Sequence, residues 1–551
     1  MKNSLIILII SFLFSCTVRN KESIGHSSID ITDSIINNSY GGVGFHVIFH
    51  LDKPSQWQMD QVFAKRWREL NPSFARINDD PGWNKRDLDQ FSDYMQIMKF
   101  TNTEMYFTSF GAETIHHYKN EKDYVKKEVD NLEYLKKEKG FNKLNYYCMT
   151  NELSLDEWAS MVNDLDRFKH IHQLFYNEIS KRGLDIKLLA TDASPFVYWP
   201  TIEWAAKNMD DITGVYGGHH YFNEHDVKDL SFYGFFLEKM KWASGLAGSK
   251  NKKFIVGEFG PMQTFSDIDS IYYDGCIYNN TPLEVYTGLQ MGEAIIAQIN
   301  GGIYASCYWT FSDMPTLSDS KEFPYRANKW GIFKWYFDDF TTKPNYYALG
   351  IITKFFRGPA KAYVIHNPDT LLRMAAIKNT ERNTFSVAVV NRNTSNQVVS
   401  INIKDAQPGT SFRKYVYDPA KLPFNYFGDL QPYSKKINLT DHVLSDTLPA
   451  YSLVVYTSDF DENPPAPVAG FNAGVEKTKY GDRNKLKWEA SQEKDFCYYR
   501  VYRSEKAEVE ITPMNQVAST IGTEYIDLRA HSTPKYYYRV VAVDKSGNSS
   551  E

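Results

Sequence analysis

The chain has 551 residues, 42% of them hydrophobic and 23% charged, with a formal net charge of -5. That length fits three or four domains at about 150 residues each, and the charge balance has no basic excess, so a nucleic-acid footprint is not indicated. Aromatic residues reach 15%, and although core packing absorbs most such rings, flat ligands such as sugars are what the exposed ones stack on.

The N-terminal run MKNSLIILIISFLFSC has Lys2 followed by an apolar core, Leu5 to Phe14, too short to span a bilayer as a mature helix. Its end, Leu13-Phe14-Ser15-Cys16, resembles a bacterial lipobox. The resemblance implies a signal peptide over 1–16, lipidation of Cys16, and a lipid-anchored place in the bacterial cell envelope, on the outer-membrane surface or the periplasmic face. The polar residues 17–39 read as a tether. Cys148, Cys276, Cys307 and Cys497 are scattered without metal-ligand spacing and read as buried thiols, not as a disulfide framework.

From 40 to 355 short apolar runs alternate with longer amphipathic ones. Strands are predicted at 41–49, 73–79, 104–110, 144–152, 186–192, 212–221, 253–260 and 302–311. A helix should start after Ser55 as N-cap, place Met59, Phe63, Trp67 and Leu70 on one face, and stop before Pro72. Eight strands alternating with helices fit a closed (β/α)8 TIM barrel. An open doubly wound sheet would need a glycine-rich phosphate turn after the first strand, and Gly41-Gly42-Val43-Gly44 lies within that strand.

Beyond the barrel the pattern becomes all-β. Alternating runs such as TFSVAVVN (384–391) and LPAYSLVVYTS (448–458) predict a β-sandwich over 356–460. The proline-rich joint Glu462-Asn463-Pro464-Pro465-Ala466-Pro467 then introduces a third unit, 463–551. Its runs KLKWEA, YYRVYRSE and KYYYRVVAVDKSGNSS, with Trp488 early and Tyr536 and Tyr538 late, resemble a fibronectin type III module, read as a separate spacer. The expectation is thus a multidomain chain of barrel, sandwich and type III-like sandwich.

Chemistry in a (β/α)8 barrel sits at the C-terminal ends of the strands, and the strand count puts Glu152 at the end of the fourth and Glu258 at the end of the seventh. Two carboxylates on one pocket suit retaining glycoside hydrolysis, in which one protonates the leaving oxygen and the other attacks the anomeric carbon. Asn-Glu also occurs at Asn177-Glu178 and Asn223-Glu224, but Glu178 falls inside a helical stretch and Glu224 in a polar turn. With Asn151-Glu152 and Glu258 so placed, the barrel and sandwich resemble glycoside hydrolase clan A, in the manner of families 5, 30 and 39. The resemblance implies Glu152 as acid/base and Glu258 as nucleophile, and matches Arg76 on strand two, Tyr221 or His220 at the end of strand six, and Trp309 ending strand eight as substrate-binding positions. The clan usually reads Asn-Glu-Pro where this chain reads Asn151-Glu152-Leu153.

Asn151 could bond the sugar 2-hydroxyl, Arg76 and Tyr221 could hold Glu258 ionised, and Trp309 offers a flat floor. Adjacent histidines on a strand point to opposite faces, so at most one of His219 and His220, and one of His116 and His117, can reach the pocket. No metal and no cofactor are expected. Two functions remain: a retaining β-glycosidase acting on a poly- or oligosaccharide, or a catalytically inactive barrel retained as a glycan-binding surface lipoprotein. Long loops at 111–120, 193–200 and 262–280, with the segment after Trp309, should set specificity.

Overall fold

A computed structural model describes residues 25–109, 118–153, 159–222, 230–261, 285, 287–314, 330–335, 339–422, 425–531 and 535–550. The lipobox with Cys16, the pair His116-His117, Glu224, Cys276 and the loop 262–280 lie outside the described residues.

Eight parallel strands form the barrel: β1 (Gly25–Val47, its last third), β2 (Phe74–Asp79), β3 (Glu104–Ser109), β4 (Leu144–Cys148), β5 (Lys187–Ala193), β6 (Val215–Phe222), β7 (Phe254–Pro261) and β8 (Ala305–Tyr308). Closure runs through β1, where Gly44 to Val47 pair with Phe74 to Ile77 and Gly42 to Phe45 with Ala305 to Tyr308. The eight predicted strands are these eight. The barrel interior is filled by Phe74, Tyr106, Tyr146, Cys148, Leu189, Val215, Ile255, Tyr304 and Cys307, so it is a packed core with the site confined to its rim.

The first helical segment is capped as its sequence asks: Gln58 reaches back to accept the Ser55 N–H at 2.8 Å. Met59, Phe63, Trp67 and Leu70 are buried, and the segment ends at Leu70 with Asn71 left-handed. A π-turn over Met59–Phe63 was not legible in the periodicity. Glu178 sits in the helix Leu165–Lys181 and pairs with Arg182 (Oε1 to Nη2 2.7 Å), away from any site.

The tether reading is corrected from Gly25 onward. Those residues are the long first part of β1, parallel to β12 (Gln397–Ile403) and antiparallel to β9 (Arg357–His366). The segment looks polar, but Ile29 and Ile31 alternate inward into the sandwich core and the polar residues between them turn out. β10 (Leu372–Asn379), β11 (Thr384–Asn391), β13 (Ser411–Tyr417), β14 (Lys435–Asn438), β15 (Val443–Leu448) and β16 (Ser452–Thr457) complete this layer. One sheet runs β14-β13-β16-β11-β10-β9-β1 and continues through β1 into the barrel, while β12 pairs with β1 and β15. Barrel and sandwich therefore share a strand.

The third unit consists of two three-stranded antiparallel sheets. They are β17 (Asn472–Thr478), β18 (Gly481–Lys487) and β21 (Glu524–His531), and β19 (Phe496–Ser504), β20 (Gln516–Thr520) and β22 (Tyr537–Asp544). Trp488 packs with Leu486, Phe496, Tyr499 and Val501 between them. The unit is not a free spacer. Asp429, in the sandwich, is buried and accepts from Lys65 of the barrel and from Arg500 (Nε 2.9 Å), Gln516 (2.9 Å) and Ser519 (3.1 Å) of the third unit. Burial alone would raise the Asp429 pKa, but Lys65 and Arg500 hold it well below the carboxylate range.

Candidate active site

The site is built at the carboxyl ends of β2 to β8 around Arg76, which is fully buried. Its Nη1 donates to Glu258 Oε1 and to His46 Nδ1 (2.9 Å), and its Nη2 donates to Asn151 Oδ1 (2.7 Å), Asp192 Oδ2 (2.8 Å) and Thr108 Oγ1 (3.2 Å). One guanidinium thereby fixes groups from five strands or strand ends, a task its planar fork suits better than an ammonium. The bond from Arg76 sets the Asn151 amide with its oxygen toward the guanidinium.

Glu258, buried on β7, also accepts the Tyr221 hydroxyl on Oε2. Burial raises its pKa, Glu152 adds to the rise, and His219, Arg76 and Tyr221 oppose it. The expectation that Arg76 and Tyr221 hold Glu258 ionised therefore describes one side of a balance whose net direction is upward. Tyr221 is itself pushed well above its ordinary value by burial and by Glu258, so it remains a donor.

Glu152 lies just beyond β4 with φ 53°, a left-handed conformation that costs a non-glycine residue about 1–2 kcal/mol. That turn brings the carboxylate back over the barrel mouth, where Oε1 accepts from His219 Nδ1 at 3.0 Å. One oxygen of Glu152, one of Glu258 and one nitrogen of His219 all lie within 4.8 Å of one another. Retaining glycosidases place their two carboxyl groups about 5–5.5 Å apart, and an inverting pair would need about 6.5–9.5 Å.

No protein-family model matches the chain, and no curated protein matches its sequence. Solved structures similar to it include three at 12–13% identity. A conserved exported protein from Bacteroides fragilis aligns with TM-score 0.57 and 13% identity over 78% of this chain and 100% of that one. A GH51 α-L-arabinofuranosidase from Thermotoga petrophila aligns at 0.55 and 12%, over 78% and 99%. A family 30 subfamily 8 xylanase from Clostridium acetobutylicum aligns at 0.51 and 12%, also over 78% and 99%. The fold is that of the clan A glycosidases.

The sixth strand of the barrel needs a correction. His219 and Tyr221, two residues apart, face the carboxylates, and His220 turns outward, stacked on Phe196 at 3.5 Å with a pKa lowered by burial to about 3. The alternation of β6 decides this, and the choice of His220 took the wrong member of the pair. His219 Nε2 donates to Asp192 Oδ1 at 2.9 Å. Burial alone would lower the His219 pKa, but Asp192 and Glu258 raise it to about 10. With its two ring nitrogens bonded to Glu152 and Asp192, His219 ties the cluster of Glu152, His219 and Glu258 into a chain of groups that suits proton transfer. A second group of carboxylates, Asp461, Asp495 and Asp544, also lies within 4.8 Å, at the joint of the third unit.

Asp192, His46, Tyr106 and Trp330 also belong to the neighbourhood and were missed in the sequence. Asp192 ends IKLLATD at φ 58°, and Tyr106 donates to its Oδ1 at 2.8 Å. Burial would raise the Asp192 pKa, but His219 and Arg76 hold it well below the carboxylate range. His46 is kept neutral by burial and by Arg76, and its ring lies 4.3 Å from Trp309. Trp309 and Trp330 meet edge to face at 6.2 Å beside Tyr221. Neither indole N–H finds an acceptor among the described residues. Cys148, Cys307 and Cys497 are buried free thiols, Cys148 pushed up to about 12 by burial.

Proposed function

We propose that the protein is a retaining β-glycosidase that cleaves a poly- or oligosaccharide through a covalent glycosyl-enzyme intermediate. The observation that carries this reading is the pair Glu152 and Glu258, offered from β4 and β7 with oxygens within 4.8 Å. Glu258 attacks the anomeric carbon while Glu152 protonates the departing oxygen, and Glu152 then takes the proton of the water that releases the sugar. Asn151 has its amide nitrogen available to the 2-hydroxyl, where a bond strengthens as positive charge grows on the ring. Trp309 and Trp330 form an aromatic wall for the sugar in the cleaved subsite. The fold likeness supports the reading by analogy only.

The test is Glu152→Ala in the full chain, assayed on aryl β-glycosides and a panel of polysaccharides. A nitrophenolate leaves without protonation, so the first step should survive for activated substrates far better than for natural ones, and azide should restore turnover with a β-glycosyl azide as product. An α-linked azide, or equal loss for good and poor leaving groups, would exclude the assignment. We further propose that Cys16 carries a lipid anchor in the bacterial envelope, on the sequence Leu13 to Cys16 alone. Radiolabelled palmitate should enter the wild type and not Cys16→Ala, and an unlabelled wild type would rule the anchor out.

A further inference from the structure

The pair Asp192–His219 has no place in the two-carboxylate scheme, yet the barrel is shaped around it. Asp192 is fully buried and spends its oxygens on Tyr106 (2.8 Å), His219 (2.9 Å) and Arg76 (2.8 Å), so it reaches the substrate only through other side chains, the acid/base Glu152 through His219 and the nucleophile Glu258 through Arg76. The two residues that grip His219, Glu152 at φ 53° and Asp192 at φ 58°, are both left-handed. Such strain persists where the surroundings enforce it and gathers at functional positions. The residue before the nucleophile is Gly257, and a Cβ there would stand 2.6 Å from His219 Nε2 and 3.0 Å from Asp192 Oδ1. A glycine at that point lets the imidazole and its carboxylate lie against the β7 backbone.

We propose that Asp192 is a positioning residue that keeps His219 doubly protonated, so that the Nδ1 proton of His219 is the one Glu152 delivers to the departing sugar oxygen. The proposal deepens the reading of Glu152 as acid/base and rests on it. In the first half-reaction the His219 Nδ1–H bond breaks as an O–H bond forms on Glu152, and the proton passes to the glycosidic oxygen. The carbon–oxygen bond breaks with its electron pair on that oxygen while Glu258 bonds the anomeric carbon. In the second half, water attacks that carbon, its proton returns through Glu152 to His219 Nδ1, and Glu258 departs as carboxylate. One water is consumed and no electrons are exchanged.

Glu152 beyond β4, Asp192 from β5 and Glu258 from β7 face the His219 ring, His46 from β1 and Arg76 from β2 lie near enough to share its electrostatics, and Tyr106 from β3 and Tyr221 from β6 bond to Asp192 and Glu258. Burial and Arg76 oppose a second proton on His219, and Asp192 and Glu258 favour it. Removing the Asp192 charge while keeping its shape tips that balance toward neutral imidazole.

The experiment compares the full-length wild type with Asp192→Asn, on a glycoside whose leaving group needs protonation and on a dinitrophenyl glycoside that does not. For the first substrate the alkaline limb of kcat/KM should move down by about one pH unit or more, with little loss near pH 6; for the second, the first step should hardly change. An unmoved alkaline limb, or equal loss on both substrates, overturns the proposal. Nitrogen-15 spectra of the His219 ring supply a reading independent of turnover. The ring should be cationic at pH 7.5 in the wild type, and in Asp192→Asn it should lose its second proton at a lower pH than in the wild type, by the same interval as the alkaline limb moves. A neutral ring in the wild type overturns the proposal even where the variant fails to fold. A cationic wild-type ring in a protein that cleaves no glycoside would instead sink the glycosidase reading, and the delivery step with it, while leaving the hold of Asp192 on His219 intact.

Discussion

Arg76 in the barrel mouth and Asp429 at the junction of the three units are both buried hubs of charge, but they are wired differently. Asp429 is one anion facing two cations, Lys65 and Arg500, with Gln516 and Ser519 completing its shell. Lys65, Arg500 and Gln516 all lower its pKa, so the junction is a clamp with a single protonation state at neutral pH. Arg76 instead faces Glu258 and Asp192, with Glu152 close by and His219 between them. There burial, like charges and opposite charges pull in different directions, raising Glu258 and His219 while lowering Asp192. A network meant only to hold is satisfied everywhere, whereas one able to move protons keeps groups poised between states.

The sharpest way to separate the two hubs is to neutralise one carboxylate in each. Glu258→Gln keeps the shape and the Arg76–Asp192 bond but removes the attacking charge, so turnover should drop by several orders of magnitude for every leaving group with the circular dichroism unchanged. A variant with near wild-type rates would break the comparison. Asp429→Asn should do the reverse. It leaves the buried Lys65 and the partly buried Arg500 without their counter-charge, a loss of about 3–5 kcal/mol in stability, while kcat of the protein that remains folded stays the same. Denaturant unfolding alongside kcat checks both halves, and a parallel fall in kcat would show that the junction reaches the site.

Acidification gives the smallest effect and the finest distinction. Glu258 works as the ionised form and its pKa is raised, so activity should be present above that raised value and fall as pH drops through it, on an acid limb higher than an ordinary Glu near ~4.3 would give. The Asp429 pKa is depressed, so its contribution to stability is complete above the ordinary Asp value near ~3.9 and is lost only as pH falls further. Activity should therefore fail reversibly while the fold, followed by tryptophan fluorescence, is still intact. Simultaneous loss of both would mean that the acid limb reports unfolding.

Glu152 and Glu258 could be reached from the order of strands along the sequence, and Arg76, Tyr221 and Trp309 from the resemblance to glycoside hydrolase clan A. Glu152, Glu258, Arg76, Asn151, Tyr221 and Trp309 come together because each lies on or just beyond a barrel strand, and parallel strands in a closed barrel bring their ends to one rim. The choice between His219 and His220 needed the register of β6, which two adjacent histidines do not supply. Asp192 and Glu152 depend on left-handed backbone, for which Asp and Glu give no sequence signal of the kind glycine gives.

The sequence by itself determined the alternation of strands and helices, the carboxylates that end strands four and seven, and the change to β-structure after the barrel, because these rest on local periodicity and order along the chain. Only the tertiary structure decided that Gly25 to Ser39 join the sandwich, that the third unit is clamped by Asp429, and that Asp192 bonds to His219. Those contacts join residues from 27 to 372 positions apart, as Asp192–His219 and Asp30–Asn402 show, and their energy comes from burial and charge pairing that no window of neighbouring residues contains.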